Sequence, residues 1–319
     1  MSESHVNVDN FVRAESDRMF AAIAQQAGGV GKWSHGFTPT PIEQQPIIRM
    51  NRDTLYSASV VDISSGATLT IPNVGDRYMS VMIVNRDHYI NRIFHTAGEY
   101  SLTIEEFDTD YVMVAARILV DPEDANDVAA VNALQQQLQL SSAVSNPFVP
   151  PSYDEATLNA TRTALLQLAE GLSGLEHCFG TKAEVDPVRR VIGAAAGWGG
   201  LPESEASYVM VAPGLPVGDY SLTVGNAPVD GFWSISLYNA DGYFEANPQG
   251  AYSVNSVTGI PNPDGTMTVR FGGNGELPNT LPIMEGWNYL VRLYRPRPEI
   301  LNGDRSFPTL DGHGEAACA

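Results

Sequence analysis

Leu55-Tyr56-Ser57-Ala58-Ser59-Val60-Val61-Asp62-Ile63, then Ser64-Ser65-Gly66, then Ala67-Thr68-Leu69-Thr70-Ile71 is the stretch that decides the fold. Both flanking runs are rich in β-branched residues, and a Ser-Ser-Gly cluster of turn chemistry divides them. Connections of only a few residues cannot hold crossover helices, so these strands and those that follow are expected to be mainly antiparallel. The pattern continues outward. Residues 78–84, 89–94, 100–104 and 111–119 read as further strands, with Asn73-Val74-Gly75-Asp76 as a turn. On the N-terminal side the period changes to that of a helix: Val12, Ser16, Met19, Phe20 and Ile23 share one face after a cap at Asp9 or Asn10, and Gly28-Gly29 stops it.

Beyond residue 120 helices take over. Val128, Val131, Leu134 and Leu138 form one stripe. Ser152 with Glu155 matches a capping box ahead of Leu158, Leu165 and Leu168, and Asp186-Pro187 opens a third helix that Gly197 closes. Residues 208–211, 220–224, 232–238, 251–257, 266–271 and 289–294 return to strand patterning around Asn239-Ala240-Asp241-Gly242 and Asn262-Pro263-Asp264-Gly265. The fold expected is mainly β with α: two antiparallel β-sandwich, jelly-roll-like lobes with a helical segment between or against them. The expected division is an N-terminal helical segment (1–36), a first β-rich domain (37–120), a helical connection (121–200) and a second β-rich domain (201–319).

Composition narrows the function classes. With 18 Lys+Arg against 37 Asp+Glu, the 319-residue chain carries a formal charge of −19, a field that repels phosphate backbones and argues against nucleic acid as a partner. The short basic run Arg292-Leu293-Tyr294-Arg295-Pro296-Arg297 reads as a solvated strand end. No apolar run approaches the ~20 residues of a membrane span, and the first residues hold no basic start followed by an apolar core. A cytoplasmic location without membrane partners is the default expectation. Cys178 and Cys318 make no CxxC pair and no disulfide framework. Rossmann and Walker fingerprints are missing, as are HExxH, His-x-His, DxDxDG and GxSxG, so no cofactor and no metal site is assigned.

Arg49-Met50-Asn51-Arg52-Asp53-Thr54-Leu55-Tyr56-Ser57 and Asn85-Arg86-Asp87-His88-Tyr89 resemble the first domain of the bacterial DUF1254 family. Pro228-Val229-Asp230-Gly231-Phe232-Trp233-Ser234-Ile235-Ser236, Tyr238-Asn239-Ala240-Asp241-Gly242-Tyr243, Phe271-Gly272-Gly273 and Gly286-Trp287-Asn288-Tyr289 resemble its companion, DUF1214. The resemblance runs from about Thr38 to Pro308 and implies a mostly β, two-domain architecture. It brings no catalytic residues with it.

The densest polar cluster, Arg52, Asp53, Tyr56, Asp87, His88, Arg92 and His95, supplies the candidates for chemistry. His88 is the expected general base, with Asp53 or Asp87 orienting it, Arg52 clamping a developing anion and Tyr56 donating a hydrogen bond. In a period-two run His88 and Arg92 share a face. Arg92, His95, Trp233, Tyr238 and Arg270 are the expected substrate-binding side chains. The competing structural reading is that Asn-Arg-Asp-Thr is turn chemistry, its Asn and Asp side chains holding nearby N–H groups, and that Trp233 packs in a core. The leading expectation is a small-molecule enzyme, a hydrolase using His/Asp acid–base chemistry in an interdomain cleft. The alternatives are a non-catalytic small-molecule or carbohydrate-binding protein and a structural homo-oligomer.

Overall fold

The computed structural model describes residues 3–45, 47–172 and 174–310. In chain order, α1 (Phe11–Ala27) leads to β1 (Ser34–His35), β2 (Thr54–Asp62), β3 (Ala67–Ile71), β4 (Met79–Asn85), β5 (Ile90–Phe94), β6 (Gly98–Leu102), α2 (Ile104–Phe107), β7 (Tyr111–Leu119), α3 (Ala125–Gln135), β8 (Gln139–Ser142), α4 (Glu155–Ala169) and α5 (Pro187–Ala196). The remaining elements are β9 (Ala206–Val211), β10 (Tyr220–Val224), β11 (Trp233–Tyr238), β12 (Ser253–Asn255), β13 (Met267–Phe271), β14 (Thr280–Leu281), β15 (Asn288–Tyr294) and α6 (Pro298–Leu301). The result is a mixed α/β fold of antiparallel sheets with interspersed helices, β13 and β14 alone among the described strand pairs running parallel.

Two compact units divide these elements, each assembled from separate stretches of chain. Unit 1 holds the chain up to Phe37, Tyr56–Leu119 and Ala129–Pro202; unit 2 holds Thr38–Leu55, Val120–Val128 and the chain from Glu203 onward. The boundaries expected along the sequence run in series, whereas the units interleave: the Asn-Arg-Asp-Thr segment belongs with the C-terminal strands.

Unit 1 carries the sheets β1-β2-β7-β4-β5 and β6-β3-β8. The stretch that opened the argument forms β2 and β3, and β3 pairs antiparallel with both β6 and β8 rather than with β2. The Ser-Ser-Gly turn therefore switches the chain from one sheet to the other. Helices α1, α4 and α5 bury Phe11, Val12, Leu158, Leu165 and Ile192 in a shared cluster, each such side chain stabilising by roughly 1.5–3 kcal/mol. Asp154, not Ser152, caps α4, its side chain accepting from the Ala156 and Thr157 N–H groups. Asp186 caps α5 through Val188 and Arg189 with Pro187 in the first turn. Cys178 is a buried free thiol; Cys318 lies outside the described residues.

In unit 2 the sheets are β12-β11-β15-β9 and β10-β13-β14. Trp233, Ile235 and Leu237 of β11 and Tyr289, Val291 and Leu293 of β15 meet Leu222, Val224, Val269 and Phe271 of β10 and β13 in one apolar cluster. Alternation dictates what the opposite faces carry. Behind β11 and β15 lie Ser234, Ser236, Tyr238 and Arg292; in front of β10 and β13 lie Asp219, Ser221, Thr223, Thr268 and Arg270, set by the pairings Ser221↔Arg270 and Thr223↔Thr268.

Among the described residues no helix is long and apolar enough to cross a membrane, and no group of three His, Cys, Asp or Glu side chains is placed to hold a metal ion.

Candidate ligand-binding site

The Asn-Arg-Asp-Thr segment covers the polar face of β11 and β15 within unit 2. Asn51 Oδ1 accepts the Asp53 N–H at 2.8 Å, the expected turn chemistry, while Asn51 Nδ2 donates to the Tyr294 hydroxyl at 2.9 Å. The turn drives Asp53 inward, to 0% exposure, where its Oδ2 accepts from Ser234 Oγ at 2.6 Å. Arg292, which pairs with Ser234 across the strands, donates to Ser236 Oγ at 2.8 Å, the Arg49 carbonyl at 2.8 Å and the Tyr238 hydroxyl at 2.9 Å. Tyr238 in turn donates to the Met50 carbonyl at 2.8 Å. Burial pushes the Asp53 carboxyl above its usual range, an effect partly offset by the Arg292 charge and by hydrogen bonding from Ser234. Burial also pulls on Arg292, but the Tyr238 and Tyr294 hydroxyls and Asp53 outweigh it and hold the guanidinium firmly protonated.

This network is sealed. Tyr238, expected to reach a cleft, is fully buried because its hydroxyl is the hinge between Arg292 and the Met50 carbonyl. Arg52, expected to clamp an anion, donates instead to the Thr40 carbonyl and, at 3.1 Å, to Glu123 Oε1, with its guanidinium 5.1 Å from the centre of the Tyr252 ring. Arg292 also corrects the solvated reading of the basic run: the alternation of Tyr289, Val291 and Leu293 puts it on a second face that is buried too.

The other expected residues stand in unit 1. Asn85 Oδ1 accepts the N–H groups of Asp87 and Tyr89 at 3.0 and 2.9 Å, and this tight turn leaves His88 at φ 62°. His88 therefore does not continue the period-two run with Arg92; it turns inward. Its Nε2 accepts the Gly199 N–H at 2.9 Å, and its ring stacks on Trp198 at 5.3 Å with Phe179 edge-on at 5.9 Å. Burial, reinforced by the Arg190 charge, drives its pKa down to about 3. Asp87 is engaged elsewhere, accepting from Arg13 Nε and Nη2 at 2.9 and 2.6 Å. Neither Asp53 nor Asp87 hydrogen-bonds His88, and Asp53 belongs to the other unit. The one lone pair of the neutral ring is already taken by a backbone N–H.

Arg92 pairs with Glu106. His95 places Nδ1 2.9 Å from the Met79 carbonyl. Tyr56 is 41% exposed, with the Arg117 guanidinium 5.6 Å from its ring centre.

Arg270 occupies the most ligand-like ground. It lines a hollow of about 650 Å³ in unit 2 together with Asp219, Ser221, Gly273, Asn274 and Thr280. Arg270 Nη1 is steadied by the Pro278 carbonyl at 3.0 Å, which leaves Nε and Nη2 for a ligand. Asp219 was missed in the sequence, although its place just before the alternating Tyr220-Ser221-Leu222-Thr223-Val224 puts it on the polar face opposite Gly272. Glycine is required there: at φ 90°, a Cβ on Gly272 would stand 1.9 Å from the Gly218 carbonyl oxygen. Trp233 is 4% exposed and belongs to the apolar cluster; its edge lines a second hollow of about 510 Å³ with Asn226, Ser256 and Asp264.

Fold and site together define a two-unit α/β protein of antiparallel sheets with a polar, open hollow on its C-terminal unit. The chain contains both domains of the DUF1254/DUF1214 family and belongs to it: residues 32–142 match "Protein of unknown function (DUF1254)" and residues 216–298 match "Protein of unknown function (DUF1214)". The fold is similar to that of the VPA0106 protein from Vibrio parahaemolyticus, at 17% identity and a TM-score of 0.71 over 94% of this chain and 96% of that one. An uncharacterized protein from Burkholderia cenocepacia matches at 14% identity and a TM-score of 0.50, over 91% and 84% of the two chains. No curated protein matches the chain.

Proposed function

We propose that the protein binds a small, hydroxyl-rich molecule in the Arg270–Asp219 hollow of unit 2, with a sugar acid as the best chemical fit. The carrying observation is a carboxylate at Asp219 with no hydrogen-bond partner among the described residues, on the same strand face as a guanidinium with two nitrogens that those residues leave unused, around a hollow of about 650 Å³. A guanidinium fork takes a ligand carboxylate, a carboxylate accepts from sugar hydroxyls, and Ser221, Asn274 and Thr280 supply further donors and acceptors. The scaffold is read as a β-sandwich of jelly-roll type, whose rigid strands hold these groups at fixed spacing. Binding displaces the acid–base reading because His88 and Asp53 are both sealed and committed.

Calorimetric titration of the full chain with D-glucuronate and D-glucose tests this. Saturable glucuronate binding is expected, weakened at least tenfold by Arg270→Ala and by Asp219→Asn, with glucose affected by Asp219→Asn alone. Absence of saturable binding by either sugar, or unchanged binding in both variants, overturns the assignment.

A further inference from the structure

On the opposite side of β2 from Tyr56, a serine and a histidine meet that nothing above uses. The register of the edge strand pairs His35 with Ser57, and His35 Nδ1 lies 2.8 Å from Ser57 Oγ. A third side chain joins them. Gln135 Nε2 donates to Ser57 Oγ at 3.1 Å, and the same nitrogen reaches the Tyr56 and Gly36 carbonyls at 3.0 and 3.2 Å, which fixes the amide's orientation. The Gln135 amide takes one lone pair of Ser57 Oγ, and in the His35 tautomer that carries its proton on Nε2 the Ser57 hydroxyl donates to Nδ1, which then stands as a base.

The surroundings suit that role. His35 is half-buried between Trp33, stacked at 6.0 Å, and Phe37 at 5.3 Å. Burial holds its pKa below the usual histidine value, so the ring is neutral at pH 7. Among the described residues, Trp33 Nε1 is a buried N–H without an acceptor and Gln135 Oε1 a buried acceptor without a donor. A merely structural tie between β1 and β2 leaves both of those unexplained.

We infer that Ser57 and His35 form a nucleophile–base pair able to cleave small acyl esters. Ser57 Oγ gives its proton to His35 Nδ1 as its oxygen bonds to the ester carbonyl carbon, whose π electrons move to the carbonyl oxygen. Collapse breaks the acyl C–O bond, and the alcohol leaves with the proton from Nδ1. Water then attacks the acyl-serine, again giving a proton to Nδ1; the Ser57–acyl bond breaks, the carboxylic acid departs and Ser57 Oγ recovers its proton. Ser57 itself is 2% exposed. This inference concerns unit 1 and stands or falls apart from the sugar site.

The test is incubation of the full chain with a small alkyl fluorophosphonate, followed by peptide mass mapping, alongside p-nitrophenyl acetate turnover. A covalent adduct on Ser57 is expected, with the labelling rate falling about 100-fold or more in His35→Gln and rising with pH through an apparent pKa below 6.5. Ser57→Ala should abolish adduct and turnover; circular dichroism checks its fold, and the wild-type adduct map decides the matter should that variant misfold. No adduct on Ser57 in the folded wild type, or equal labelling in His35→Gln, overturns the inference.

Discussion

His88 shows how one side chain can carry the residue types of a catalytic base and none of its freedom. The reference histidine pKa is 6.5 and burial lowers it to about 3. Below about pH 6.5 the unfolded chain takes up a proton that the folded chain refuses, so stability is full above that pH. It is lost as pH falls, with a slope of about 1.4 kcal/mol per pH unit, until the folded ring itself titrates. His88→Gln, which offers an amide oxygen to the Gly199 N–H, is expected to lower stability at pH 7 and to remove this one-proton slope between pH 4 and 6. Urea midpoints across that range measure it; identical pH dependence in both proteins contradicts the assignment of His88 as a buried neutral ring. The sequence reading runs His88 into the period-two strand with Arg92, whereas the turn held by Asn85 takes it out of that run at φ 62°; its stacking on Trp198, more than 100 residues away, carries no local signal.

At the scale of elements, strand and helix periods were legible wherever one face is apolar and the other wet. β3, β7 and β10 stand at the positions the alternation marks. The two-residue β1 and β14 escaped because so short a strand carries no period. β15 misled for a different reason: Arg292 on an alternating strand reads as solvent-facing unless a partner from elsewhere covers it. Asp53 is buried near it, hydrogen-bonded to Ser234 and coupled to the guanidinium by its charge. Removing Arg292 leaves that carboxyl without its opposing charge and Ser236, Tyr238 and the Arg49 carbonyl without their donor, and stranding buried charged or polar groups in this way typically costs about 3–5 kcal/mol. Arg292→Met is therefore expected to cost that much, and Asp53→Asn to be milder, since Asn keeps an oxygen for Ser234. The double variant should cost clearly less than the two single costs added together. Denaturant melts around this cycle give the coupling; simple additivity would mean that the two charges do not stabilise each other.

For the whole molecule, chain order is a poor guide to which parts fold together. Unit 2 draws on Thr38–Leu55 and Val120–Val128 as well as the C-terminal strands, whereas composition and motifs suggest domains laid end to end. The reason is physical: β11 and β15 present Ser234, Ser236 and Arg292 on a face that must be both covered and hydrogen-bonded, and the stretch from Arg49 to Asp53 brings the carboxylate and carbonyls that satisfy it. A fragment of residues 203–310 keeps the apolar cluster between its sheets but bares that face, with Arg292 lacking both Asp53 and the Arg49 carbonyl. It is expected to retain strand signal in far-UV circular dichroism and to lack a cooperative thermal transition. A synthetic peptide of residues 38–55 added in trans should restore a saturable transition, and the same peptide with Asp53→Ala should not. Cooperative melting of the bare fragment near the temperature of the full chain would show that the segment is a passenger on unit 2 rather than part of its fold.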